Sequence, residues 1–193
     1  MGCFPTNWKC ISALCLATVL VAQTKRELVN GFSLEAPAGN LVSISSAAGR
    51  PTVVIFVSAR CPISNAFNAR INTLYEQFGK QVNFIVLDSN VNESAAEIQA
   101  HAKAMEYDFP VYRDRENRVA DLLGAVATPD SFVIDKHGMI SYHGYIEDAP
   151  NPARSKDPAL RLAIEAALHE RPAPVPETHA RGCAIRRTVD LRP

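Results

Sequence analysis

The sequence predicts an α/β fold: a central mixed β-sheet flanked by helices, with a β-hairpin ahead of it. Two apolar, β-branched runs alternate with helix-period segments. A turn-linked strand pair and a last helix-period segment then follow. A length of 193 residues with 47% hydrophobic content suits one globular domain around a single core.

Residues 1–22 differ from the rest. Lys9 is their only charged side chain, and Cys10 to Ala22 is an apolar run free of charge, Pro and Gly. Gln23-Thr24-Lys25-Arg26-Glu27 then restores polarity. A short positive start and an apolar stretch of about a dozen residues read as a secretory signal, too short for a stable membrane span. An uncleaved anchor and a buried core helix are the competing readings. Export, to a periplasmic or extracellular destination, would remove Cys3, Cys10 and Cys15 and leave Cys61 and Cys183. Two cysteines in an exported chain are able to form one disulfide, and their wide separation does not resemble a zinc site.

Gly31 to Arg50 reads as the hairpin, with Phe32 and Leu34 on one arm, Ala36-Pro37-Ala38-Gly39-Asn40 as the turn, and Leu41, Val42 and Ile44 on the other. Thr52-Val53-Val54-Ile55-Phe56-Val57 is a fully buried central strand. Ile63, Phe67, Ile71, Leu74 and Phe78 follow at spacings of 4, 4, 3 and 4, one face of a helix of about four turns that stops at Gly79. Val82 to Leu87 is a second buried strand. Ala95, Ile98, Ala102 and Met105 return to helix spacing. Phe109 to Tyr112 is a short extended piece, and Val119 to Gly124 a short helix. Ser131 to Asp135 and Met139 to Tyr142 flank the Lys136-His137-Gly138 turn. Leu160, Ile164 and Leu168 mark the last helix. Residues 23–170 thus form the domain. Residues 171–193 are a tail with a Pro-rich linker, Arg171 to Pro176, and Cys183 beyond it.

Twenty basic and twenty acidic residues give a formal net charge of zero, which leaves nothing to hold a nucleic-acid backbone. An aromatic content of 7% argues against a base-stacking platform. His101, His137, His143, His169 and His179 lack chelating spacing, so no metal and no cofactor is implied. Asp88, Asn90 and Asn92 lie at a sheet end where ligands often sit, but they read more simply as turn residues.

The chemistry points to Cys61, between the central strand and the first long helix. A helix start offers free N–H groups and the positive end of the macrodipole, which favour a thiolate. Pro62 fits the first helical position, where no N–H is needed. The alternative is an inert buried cysteine.

Cys61-Pro62 at a helix start, Ala127-Thr128-Pro129 before a strand, and Phe132-Val133-Ile134-Asp135 with the Gly138 hairpin resemble the thioredoxin-like superfamily. The leading hairpin is similar to its redoxin branch, the alkyl-hydroperoxide-reductase and thiol-specific-antioxidant proteins. The resemblance covers roughly Gly31 to Glu170. It implies a thioredoxin-like fold with Cys61 as nucleophile. Pro129 matches the family's cis-proline, with Thr128 presenting its backbone to an extended substrate. Ser64 stands where thioredoxins carry their second cysteine, and Ile55 where they carry a buried acid. Ser58 and Pro62 match the hydroxyl and proline around a peroxidatic cysteine, whereas Val54 replaces an upstream proline. The family's arginine falls near Pro129, leaving Arg60 and Arg113 as substitutes. Asn65 stands where Sco-type copper chaperones carry a second cysteine.

Cys183, in a Gly-Cys-x-Ile tail, is the remaining partner. Roughly a dozen linking residues at about 3.3 Å each reach ~40 Å, enough to cross a small domain. The alternatives are a loose thiol or a pair with another chain. The expected reaction is thiol–disulfide exchange, with Cys183 resolving and Ser58 or Ser64 bonding the thiolate. His179 and Arg181 are placed to lower the Cys183 pKa. The expected partners are a disulfide-containing protein or a hydroperoxide, together with an external thiol reductant. Peroxidase activity, and a non-catalytic binding or metallochaperone role, are the competing functions.

Overall fold

The computed structural model describes residues 28–46 and 49–188. The signal reading, with Cys3, Cys10 and Cys15, lies outside the described residues.

Strands β1 (Gly31–Glu35) and β2 (Leu41–Ser45) form the hairpin, with Phe32 opposite Ile44. Strand β3 (Thr52–Val57) runs parallel to β4 (Asn83–Asp88) and antiparallel to β7 (Asp130–Ile134). Adding β5 (Val111–Arg113) and β8 (Ile140–Gly144) gives a seven-stranded mixed sheet in the order β2-β1-β5-β4-β3-β7-β8. All six residues of β3 are buried, which explains why its sequence is an unbroken apolar run rather than an alternation.

The two faces of the sheet bury different partners. Val53, Ile55 and Val57 pack with Ile71, Leu74 and Phe78 of α2 (Asn68–Phe78). They also join Ile98 of α3 (Ala95–Ala104) and Leu160 and Ile164 of α5 (Ala159–Leu168). Val54 and Phe56 face the other way, toward Phe32, Leu34, and Val119 and Leu123 of α4 (Arg118–Leu123). Burying such a side chain stabilises the fold by about 1.5–3 kcal/mol against leaving it in water.

The long helix predicted from Ile63 to Phe78 is two helices. A single turn, α1 (Pro62–Asn65), ends at Ala66, and α2 begins at Asn68. Phe67 takes φ −103° and ψ −2°, and its N–H bonds the Ser64 carbonyl three residues back. Ile71, Leu74 and Phe78 still face one side. Hydrophobic spacing records which face is buried, and a break in the backbone hydrogen bonds leaves that spacing unchanged.

The tail folds back onto the domain. The His143 N–H bonds the Pro176 carbonyl at 3.1 Å, and the Thr178 N–H bonds the His143 carbonyl at 2.9 Å. The chain then returns to form β9 (Cys183–Ala184), antiparallel to β6 (Ala127–Thr128). Ile185 is 4% exposed and belongs to the same apolar cluster as Phe56 and Leu123.

Candidate active site

Cys61 caps α1. With φ −87° and ψ 112° it stands outside the helix, and its Sγ accepts the Ser64 N–H at 3.3 Å. Pro62 occupies the first turn, as its missing donor allows. Cys61 therefore sits at a helix start, but the helix is one turn long. The local N–H of Ser64, not the macrodipole of a four-turn helix, stabilises its sulfur. Its residue is only 2% exposed.

The Thr128–Pro129 bond is cis, as the resemblance implies. It holds the Thr128 carbonyl 3.2 Å from Cys61 Sγ, in reach of the neutral thiol as donor. Cys183 is the register partner of Thr128 in the β6–β9 pair. Thr128 Oγ1 points at the Cys183 carbonyl at 3.5 Å, a distance at which a hydrogen bond is weak. Both cysteines carry free thiols.

The two cysteines influence one another and divide their roles. Burial works against ionisation of Cys61. The Cys183 thiol, the backbone N–H groups of Ser64 and Cys183, and the Thr128 side chain all donate toward it, and together they hold it below the usual thiol value. Cys183 is pushed up, first by the hydrogen bond it gives Cys61, then by burial and by the Cys61 charge. The expectation that His179 and Arg181 lower Cys183 is thus overturned, because the contact with Cys61 dominates. Cys61 is the readier anion and Cys183 its proton-bearing neighbour.

The serine hydroxyls are used elsewhere than expected. Ser58 Oγ donates to Glu93 Oε1 at 2.5 Å and accepts the N–H groups of Arg60 at 3.2 Å and Cys61 at 3.1 Å. Ser64 Oγ accepts the Ser58 N–H at 3.2 Å. The bond to the thiolate comes from the Ser64 backbone, and the hydroxyls fix the loop that carries Cys61. Arg60 is held by Glu97 at 2.6 Å, and Arg113 lies 3.8 Å from Glu35. Both arginines have carboxylate partners.

Beneath that loop lies a pair of acids that the sequence reading did not single out as functional. Glu93 is 2% exposed, and its Oε2 accepts the Ala59 N–H at 2.7 Å. It also shares a hydrogen bond with Asp88, at the end of β4. Burial, that bond and the Glu93 charge push Asp88 up to about 8, so Asp88 carries the shared proton at neutral pH. Asp88 also accepts the N–H and side-chain amide of Asn90, so the turn reading describes Asn90. Asn92 is exposed. The available clue to Glu93 was its position just ahead of Ser94, the helix cap of α3, at the carboxyl end of a parallel strand.

A cysteine at the β3–α1 junction facing a cis-proline just ahead of the antiparallel neighbour β7 defines a thioredoxin-like protein. Residues 26–143 match the AhpC/TSA family, more than half of the chain. The chain belongs to that family. It is 28% identical over 127 residues to a chloroplastic peroxiredoxin Q of Oryza sativa subsp. japonica, covering 62% of this chain. The match spans 58% of the length of that relative. Among solved structures, a hypothetical protein of Sinorhizobium meliloti 1021 superimposes with TM-score 0.74 and 28% identity, over 84% of this chain and 94% of its own. An uncharacterized conserved protein of Geobacillus kaustophilus does so with TM-score 0.75 and 26% identity, over 83% and 90%.

Proposed function

We propose that this protein is a thiol-dependent oxidoreductase in which Cys61 is the nucleophile and Cys183 the resolving thiol. The observation that carries this reading is the placement of both cysteines against Thr128: its carbonyl lies 3.2 Å from Cys61 Sγ, and its register partner is Cys183, with ionisation favoured at Cys61 and disfavoured at Cys183. The Cys61 thiolate attacks one sulfur of a disulfide. The S–S bond breaks, the leaving sulfur takes a proton, and a mixed disulfide remains at Cys61. Cys183 gives up its proton and attacks the Cys61 sulfur, which releases the second substrate thiol and leaves a Cys61–Cys183 disulfide. The substrate gains two electrons and the protein loses two. An external dithiol restores them. Thr128 and Pro129 form the wall along which the substrate aligns, and Ser58, Pro62 and Ser64 hold the Cys61 loop.

The match to peroxiredoxin Q supports a second reading. Here Cys61 attacks the outer oxygen of a hydroperoxide, giving an alcohol and a sulfenic acid. Cys183 condenses with the sulfenic acid and expels water. Export after cleavage of residues 1–22 belongs to the same proposal. Among the described residues, no helix is long and apolar enough to cross a membrane.

The test is the mass of the purified protein before and after oxidation, beside assays of insulin reduction and hydrogen peroxide consumption. Loss of two hydrogens on oxidation and turnover of insulin are expected. In Cys61→Ser, activity disappears. In Cys183→Ser, the mixed disulfide accumulates. Turnover of peroxide alone selects the second reading. An unchanged thiol count under both oxidants supports a binding role, and activity retained by Cys61→Ser removes both mechanisms.

A further inference from the structure

The groove beside Thr128 is filled by the protein's own tail. Thr128 pairs with Cys183 and Ala127 with Ala184, and the Ile185 N–H continues the ladder to the Val126 carbonyl at 3.0 Å. The approach is close. A Cβ on Gly182 would lie 1.9 Å from the Thr128 carbonyl oxygen, so only glycine lets the tail backbone rest on that peptide.

Two loops then clamp the segment. The Arg186 N–H bonds Asn90 Oδ1 at 2.9 Å, and the Arg186 carbonyl accepts the Val91 N–H at 3.1 Å and the Asn117 side-chain amide at 3.2 Å. The Thr188 N–H bonds Asn117 Oδ1 at 3.0 Å. Ile185 anchors all of this in the core.

An extended polypeptide pairing with the same edge of β6 requires the same backbone groups that Cys183 and Ile185 now use. It must strip residues 182–186 from the groove and draw Ile185 into water. A compact disulfide does not pair with β6 and so does not compete for those backbone groups. We propose that residues 182–186 are an intramolecular occupant of the polypeptide lane, which makes low-molecular-weight disulfides the preferred substrates and admits protein disulfides only when the tail lifts. The proposal rests on Cys61 as the attacking sulfur. It names the substrate class and the segment that sets it.

The experiment isolates the first step by using Cys183→Ser, in which the mixed disulfide at Cys61 persists. Its rate of formation is followed by mass with glutathione disulfide as the compact probe and insulin as the polypeptide probe. Glutathione disulfide is expected to react faster. Adding Ile185→Asp, or separately Gly182→Val, releases the tail and raises the insulin rate relative to the glutathione rate by about tenfold or more, because the occupancy that taxed the lane is removed.

A measurement in Cys183→Ser alone guards against misfolding of those variants. Hydrogen exchange in 182–186 is expected to stay slow in the glutathione mixed disulfide and become fast in the insulin one. An unchanged rate ratio in folded variants, or slow exchange in both mixed disulfides, overturns the proposal. Failure of both probes to modify Cys61 while 182–186 stays protected is a different result. It overturns the thiol-exchange reading itself.

Discussion

The neighbours of the Cys61 sulfur include the Ser64 N–H, the Cys183 thiol and the Thr128 carbonyl. The first two favour the anion, and the third bonds the neutral thiol. Removing the Cys183 donor by Cys183→Ala should raise the midpoint of Cys61 alkylation, because a hydrogen bond to the charged sulfur is lost. The pH dependence of iodoacetamide modification, read by mass, measures it. An unmoved midpoint places the stabilisation elsewhere. Glu93 acts one layer below. A Gln there keeps one acceptor for Ser58 and Ala59 and turns an amide donor toward the other. Glu93→Gln should therefore cost about 1–3 kcal/mol in urea unfolding at neutral pH. Cys61 and Pro62 were legible because each follows a local rule about helix starts, and Pro129 because the family resemblance marks it. Glu93 was not, since its partners Ser58 and Ala59 lie more than thirty positions away, and no pattern around Glu93 marks it as buried.

Among the elements, β3 and β4 were readable because full burial writes a continuous apolar run. The break between α1 and α2 was not, because the buried face continues across it. The β6–β9 pair is only two residues long on each strand, too short to leave an alternation in the sequence. Its support begins upstream, where the end of β8 meets the tail. Thr178 Oγ1 accepts the Tyr145 N–H at 3.0 Å and meets Tyr142 Oη at 2.9 Å. Gly144, at φ +147°, leaves room for it, since a Cβ there would lie 1.9 Å from Thr178 Oγ1. Gly144→Ala should destabilise the protein by on the order of 1–3 kcal/mol, with strained backbone and displaced tail acting together. Thermal unfolding gives the total. Faster hydrogen exchange at residues 176–178 than in the parent identifies the tail as the part that moved.

At the scale of the whole molecule, Asp88 ties stability to pH. Its folded-state value lies near 8, above the ordinary carboxyl value of 3.8. The folded protein therefore holds a proton that the unfolded chain has released, throughout the interval between those values. That contribution is complete below about pH 4 and is lost as pH rises through about 8. Urea unfolding should show stability falling across this window, and Asp88→Asn should flatten the slope. A slope that persists in Asp88→Asn assigns the effect to other groups. The mixed sheet with helices on both faces was anticipated by the alternation of strand and helix patterns. The tail's union with the core was not. Arg171 to Pro176 reads as a linker by composition, whereas a buried Ile185 and two clamping loops decide where the chain goes next.

Because Cys183 completes the site from 122 positions downstream of Cys61, biosynthesis separates the two halves in time. At ribosomal speeds the nascent protein carries Cys61 for on the order of ten seconds before the neighbour that favours its anion has been made. The electrostatic setting of that sulfur is therefore completed only when the last strand is threaded home.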